Sequence, residues 1–158
     1  MIIEYYHASK FGNGVKVANE FTRIMDARGI TVNVHHVKKA KPKEIQPADL
    51  YVFSSPGRFG KPSGDMSGFL KKAQFAPGTS CAILTTEMAP QPDKKTGKVP
   101  TEEGACQKVL PIMREILQDK GLKKVAEGRI YVLGIKGPLE DNWQKKVETF
   151  AMSIHMGG

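Results

Sequence analysis

The sequence has little that could staple it covalently or hold it in a bilayer. Only two cysteines occur, Cys81 and Cys106, 25 residues apart. Without a Cys-x-x-Cys pair, this spacing excludes a disulfide scaffold, a zinc ribbon and a thioredoxin-like redox pair. No apolar run approaches the roughly 18 residues of a membrane-spanning helix, and the opening Met1-Ile2-Ile3-Glu4 carries neither a basic leader nor a long apolar stretch. A cytoplasmic protein with no membrane span and two reduced, buried thiols is the expectation. Ser-His-Asp spacing, a nucleophile elbow and a Walker loop are all missing, which leaves hydrolase and nucleoside-triphosphate chemistry without support. Internal repeats and low-complexity tracts are absent as well. Acid is scarce: 16 Asp and Glu stand against 24 Lys and Arg, for a net charge of +8.

What is present is apolar mass enough for one core, 40% of 158 residues, read as one domain over residues 1–158. The charge is uneven. Residues 1–79 hold 12 basic and 6 acidic side chains, and residues 80–158 hold 12 and 10. A basic surface can attract nucleic acid, anionic lipid, an acidic protein or a phosphorylated ligand, so its sign orders the hypotheses without choosing among them.

Short apolar or β-branched runs at residues 2–6, about 31–37, 50–55, 80–86 and about 129–135 alternate with stretches of helical spacing, the pattern of an α/β sheet. Val17, Ala18, Phe21, Ile24 and Met25 define the clearest helix, stopped at Gly29; Met66, Phe69 and Leu70 mark a short one. Val109, Ile112, Met113, Ile116 and Leu117 form another stripe, expected to start near Pro111. Trp143, Val147, Phe150, Ala151 and Ile154 form the last, after Gly137-Pro138, where the proline can open a helix. Five strands covered on both faces predict a three-layer, doubly wound parallel α/β sheet. Glu4 is out of place in its first strand and must lie near an exposed end or find a partner.

Ligands of open α/β sheets bind outside the carboxyl ends of the strands, where the strand order reverses, so the loops after strands carry the information. After the first strand, Ser9-Lys10-Phe11-Gly12-Asn13-Gly14 leads into the first helix, and a hydroxyl and two glycines beside unpaired helix N–H groups suit a phosphate. The bland alternative is a strand-to-helix turn in which Gly and Asn supply unusual backbone angles. After the third strand, Pro56-Gly57-Arg58-Phe59-Gly60 sets an aromatic between glycines, where it either folds back onto the core or presents a flat face to a flat ligand. After the fourth, Thr85-Thr86-Glu87-Met88 opens a polar segment reaching Gly104, too long for an ordinary connection. Met88 could cover one face of such a ligand. His7 is either a cation assisting the phosphate or a structural histidine. His35 and His36 point to opposite faces of a strand and cannot chelate, so no metal site is expected. The run Lys38-Lys39-Ala40-Lys41-Pro42-Lys43 reads as a solvated connection, or as a docking patch for an acidic partner.

Together these loops resemble those of flavodoxins and the wider flavodoxin-like FMN proteins, including quinone reductases of the tryptophan-repressor-binding-protein type. The resemblance runs the whole chain. The family's Ser/Thr-x-Thr-Gly-Asn-Thr phosphate loop corresponds to Ser9 through Gly14, with Phe11 and Gly14 where hydroxyls are usual. The second loop is similar to the reductases' Pro-Thr-Arg-Phe-Gly, with Gly57 in place of the threonine. Gly134-Ile135-Lys136-Gly137-Pro138-Leu139 resembles the tail of archaeal-looking flavodoxins. The resemblance implies strand order 2-1-3-4-5 and an FMN cofactor with its phosphate at Ser9 to Gly14. The ring would lie against Phe59, with Thr85 to Met88 along its other edge.

The family's loop after the fourth strand often supplies a stacking tyrosine, whereas residues 87–104 hold no aromatic at all. One flavin face would then be open. Ordinary flavodoxins surround the ring with acid; here Arg58, Lys61, Lys94, Lys95 and Lys98 would surround it with base, and a cation at about 7 Å is worth roughly 2 kcal/mol to a reduced flavin anion at an effective dielectric near 20. A raised reduction potential follows. The implied function is FMN-dependent electron transfer with a redox partner protein that could be acidic, nucleic acid not being the expected partner. The alternatives are an NAD(P)H-dependent quinone or FMN reductase, and a flavodoxin-shaped binding module without FMN. The sequence leaves the oligomeric state open.

Overall fold

The computed structural model describes residues 1–58, 60–92, 94–99 and 107–155. Phe59 and Cys106, singled out above, lie outside them, as does the side chain of Arg58. The chain runs β1 (Ile2–His7), α1 (Asn13–Asp26), β2 (Thr31–His36), β3 (Leu50–Arg58), β4 (Lys61–Pro62), α2 (Gly64–Lys72), β5 (Ser80–Met88), α3 (Val109–Asp119), β6 (Lys123–Val132) and α4 (Trp143–Ser153). Five strands pair in parallel in the order β2-β1-β3-β5-β6, and β4 folds back antiparallel on the end of β3. Counting the parallel strands alone, this is the 2-1-3-4-5 order. The short return strand was not foreseen, since two residues carry no periodicity.

Alternation along each central strand builds two cores, because successive side chains point to opposite faces. Ile3 and Tyr5 of β1, Leu50 and Val52 of β3, and Ala82 and Leu84 of β5 face Val17, Ala18, Phe21 and Met25 of α1 and Val147, Phe150 and Ala151 of α4. Tyr6, Tyr51, Phe53, Cys81 and Ile83 face Met66, Phe69 and Leu70 of α2 and Val109, Met113 and Leu117 of α3. The predicted stripes are therefore the buried ones. Glu4 belongs to the second face, where it is buried, and its partner is His35 of β2, whose Nε2 lies 3.0 Å from Oε2.

Three boundaries differ from expectation, each for a local reason. The last strand covers Lys123–Val132, starting six residues and ending three residues earlier than its apolar run suggested. As an edge strand it keeps polar, exposed residues at its start, while Leu133 and Ile135 lie beyond it, 54% and 80% exposed. The α3 helix opens at Val109, so Pro111 is its third residue and neither kinks nor delays it; N–H groups of a first turn have no intrahelical acceptor to lose. Pro138 does not open α4. Leu139 pairs antiparallel with Val132 instead, and the helix begins at Trp143.

Candidate functional site

Parallel register brings the ends of β1, β3 and β5 to one rim. His7 pairs with Ser54, Ser55 with Thr85 and Pro56 with Thr86. The segments Ser9–Gly14, Pro56–Gly60 and Thr85–Met88 therefore share the edge at which strand order reverses between β1 and β3. A fourth segment, Leu133–Pro138 after β6, reaches the same edge, because Met88 pairs with Val132.

The mouth of α1 is the most developed part of this rim. Gly12 caps the helix at φ 91°, a left-handed conformation that glycine adopts without steric cost. No side chain caps the first turn and no acidic residue lies in it. Among the described residues, no acceptor faces the backbone N–H groups of Lys10 through Val15. The positive end of the helix is thus left for an anion. The Ser9 hydroxyl is buried without a partner. Gly14 is dictated by the same hydroxyl-bearing side chain: a Cβ at 14 would stand 2.9 Å from Ser9 Cβ and 3.2 Å from its Oγ. A larger residue at 14 would collide with Ser9.

Two histidines hold Ser9 in place. The Ser9 N–H donates to His7 Nδ1 at 3.2 Å, and His36 Nε2 donates to the Ser9 carbonyl at 2.8 Å. His36 Nδ1 accepts from the Lys38 N–H at 3.1 Å, which puts its ring proton on Nε2. Burial, with the neighbouring His36 ring adding to it, pushes the His7 imidazole down to about 4. His7 is therefore neutral at physiological pH and serves the loop as an acceptor, not as the cation considered from sequence.

On the second loop, Gly57 and Arg58 pair with Pro62 and Lys61 in the β3–β4 hairpin, with Gly60 turning at φ 74°. Gly57 stands where a threonine was expected because α3 abuts it: a Cβ there would lie 3.0 Å from Val109 Cγ2. The Ser55 hydroxyl accepts from the Ser63 N–H at 3.1 Å and ties the hairpin to the start of α2.

The third segment turns its polar side chains inward. Thr85 Oγ1 donates to Glu87 Oε2 at 2.7 Å, Arg129 Nε donates to the same oxygen at 2.6 Å, and the Val109 N–H donates to Glu87 Oε1 at 3.0 Å. Arg129 Nη2 donates to the Gln107 carbonyl at 3.2 Å, and Gln107 Nε2 to the Met88 carbonyl at 3.0 Å. Thr86 is buried, and Met88 packs against the α1–α4 side of the sheet. What Thr85 and Glu87 present to the rim is backbone. Sequence reasoning missed Arg129 and Gln107, which stand far along the chain in an edge strand and a polar stretch.

The fourth segment was singled out without a role. Asn13 Nδ2 donates to the Lys136 carbonyl at 3.3 Å, and Asn13 lies so close to Gly137 that a Cβ there would fall 3.0 Å from its Oδ1. The ammonium groups of Lys10 and Lys136 lie 5.6 and 5.9 Å from the centroid of the half-exposed Phe11 ring. Lys61, Lys94, Lys95 and Lys98 are exposed, so salt screens their effect on the rim. His35 and His36 engage Glu4 and Ser9, and among the described residues no cluster of three or more His, Cys, Asp or Glu is placed to hold a metal. Two surface hollows of about 220 and 240 Å³ lie elsewhere, beside α3 and α4.

A doubly wound parallel sheet with a glycine-capped helix mouth at its switch point defines the class. The particular architecture is the flavodoxin-like fold. The chain is similar in structure to flavodoxin 2 of Bacillus cereus at a TM-score of 0.73 and 18% identity, covering 97% of each chain. It is similar to an archaeal flavodoxin at 0.67 and 14% identity, covering 96% of this chain and 94% of that one. It is also similar to the Fusobacterium nucleatum flavodoxin bound to flavin mononucleotide at 0.67 and 14%, covering 96% and 95%. No protein-family model and no curated protein matches the sequence. Among the described residues no helix is long and apolar enough to cross a membrane.

Proposed function

We propose that this chain binds FMN and works as a cytoplasmic, flavodoxin-like electron carrier, taking electrons from one protein and passing them to another. The observation that supports it most is the α1 mouth: N–H groups without acceptors from Lys10 to Val15, no acid in the first turn, and a buried Ser9 hydroxyl lacking a partner. Those donors suit the phosphate of a flavin mononucleotide, and FMN is bound by a protein of the same fold. Bound there, the isoalloxazine would supply one- and two-electron redox chemistry.

The chain's own part is placement. His7 and His36 fix the Ser9 backbone at the start of the loop. The β3–β4 hairpin and the backbone of Thr85 to Met88 would flank the ring, with Pro56 and Gly57 at the base of the hairpin. At low salt, where screening is weak, the exposed lysines of these loops would favour an anionic reduced state and an acidic partner, in contrast to carriers ringed by acid.

Titration of the purified protein with FMN, followed by visible absorbance and fluorescence quenching, tests the reading. Stoichiometric binding with a hydroquinone couple above that of acidic flavodoxins is expected. Absence of binding would leave only the shape. Reduction solely through a partner reductase marks a carrier, whereas rapid turnover of NAD(P)H with a quinone would mark a reductase instead.

A further inference from the structure

We infer that the segment after β6 is a fourth wall of the phosphate site, and that Lys136 joins Lys10 in neutralising the phosphate dianion that the loop hydroxyls would otherwise hold. The inference rests on FMN binding at the α1 mouth and adds residues to it. Three observations carry it. First, the phosphate loop lacks side-chain donors at two positions, Phe11 and Gly14, and Gly14 cannot regain one without displacing Ser9. A dianion held by backbone N–H groups and a single hydroxyl keeps much of its charge unbalanced.

Second, the segment is joined to the helix mouth itself. Asn13, the first residue of α1, donates to the Lys136 carbonyl, and Gly137 leaves the space that the Asn13 side chain fills. A side chain at 137 would push the two loops apart. Asn13 is thereby used as a bridge between loops, which explains its presence in a turn where no side chain caps the helix.

Third, two ammonium groups gather at one ring of the loop, 5.6 and 5.9 Å from the Phe11 centroid. Lys10 and Lys136 both stand within 6 Å of the Phe11 ring, on an otherwise exposed aromatic that has no core to pack on. Such an arrangement keeps the amines near the ring while they remain hydrated and free to turn. No acidic side chain of the first turn competes for them. The remaining hydroxyl, Ser9 Oγ, is buried beside the same turn without a partner, so the site has one neutral donor unassigned as well as two cations.

The test compares two ligands that differ only in the phosphate. Dissociation constants for FMN and riboflavin are measured by fluorescence on the wild-type chain and on Lys136→Met, Lys10→Met and Lys136→Arg, at about 0.01 M and about 1 M salt, where the Debye length falls from about 30 to about 3 Å. Circular dichroism checks that each variant folds. Each methionine variant is expected to weaken FMN about fivefold at low salt, the effect of one partly exposed ion pair, and to leave riboflavin unchanged. Arginine is expected to preserve FMN binding, and high salt to erase the difference between variants. Unchanged FMN affinity in both methionine variants overturns the inference, and so does equal weakening of both ligands, which would make the lysines structural. Wild-type protein that binds neither ligand fails at the earlier step, and the inference falls with it.

Discussion

The buried pair of Glu87 and Arg129 gives the sharpest test of how this scaffold is held. Their side chains are 0% and 7% exposed, and the carboxylate also receives Thr85 and the first N–H of α3. Replacing Glu87 by alanine breaks this buried ion pair from one side, which costs about 3–5 kcal/mol in buried pairs. Losing the acceptor at the Val109 N–H adds about 1 kcal/mol, the worth of a helix cap. The sum is a large part of a stability of about 5–15 kcal/mol.

At about 2–4 °C per kcal/mol for a chain of this size, Glu87→Ala should lower Tm by about 10–20 °C. The measurement is urea and thermal unfolding of the flavin-free protein by circular dichroism, since a bound ligand adds its own stabilisation. The double variant Glu87→Leu with Arg129→Met removes both charges and should be more stable than Glu87→Ala alone, because apolar replacement of a whole buried pair costs less than removal of one member. A loss below about 1 kcal/mol for the single change, or simple additivity of the two single changes in the double, would refute the reasoning.

Acid should weaken the fold through His7, whose imidazole is pushed from 6.5 to about 4. Above pH 6.5 the ring is neutral in both folded and unfolded chains and its contribution is complete; below it the unfolded chain gains a proton the folded ring refuses, so about 2–3 kcal/mol is lost by pH 4. Denaturation midpoints across that range, with His7→Gln as the flat control, measure it. Gly14→Ala should reduce FMN affinity about tenfold, because the new methyl group displaces Ser9 from under the loop and overpacking of this kind costs about 1–3 kcal/mol; riboflavin titration alongside shows how much of the loss is at the phosphate. Burial raises the Cys81 thiol to about 11, Lys124 opposing only in part. In a Cys106→Ser background a disulfide reagent at neutral pH should therefore label it only as fast as the chain unfolds.

How much of this was legible in advance follows from the physics of each element. Val17, Phe21 and Met25, or Tyr51 and Phe53, announce themselves because burial of one face leaves a period in the chain. The start of β6 left no such trace: Lys123, Lys124 and Val125 are exposed on an edge strand, while the apolar Leu133 and Ile135 that imitated a strand stand in solvent. Gly128 was equally silent. It is a glycine because Leu84 and Phe150 approach within 3.1 and 3.3 Å of where a Cβ would be, a contact visible only once α4 is docked.

At the rim, the open helix mouth at Ser9 to Gly14 could be read in advance because a glycine-bearing turn before an amphipathic helix has a local meaning. Glu87 could not be assigned correctly from its neighbours. Its partners come from positions 85, 109 and 129, and a glutamate after a strand looks the same whether it faces solvent or an arginine. The resemblance supplied the strand order, which no periodicity encodes.

The Gln107 side chain on the Met88 carbonyl, with Arg129 holding Gln107 in turn, fastens departure and return of the intervening excursion to a single spot on the sheet. Both ends of that stretch are tied to the sheet through the Met88 and Gln107 backbone, whatever side chains stand between. Evolution, or an engineer, has here a cassette beside the rim where β1, β3 and β5 end, in which new surface can be written while the sheet stays unaltered.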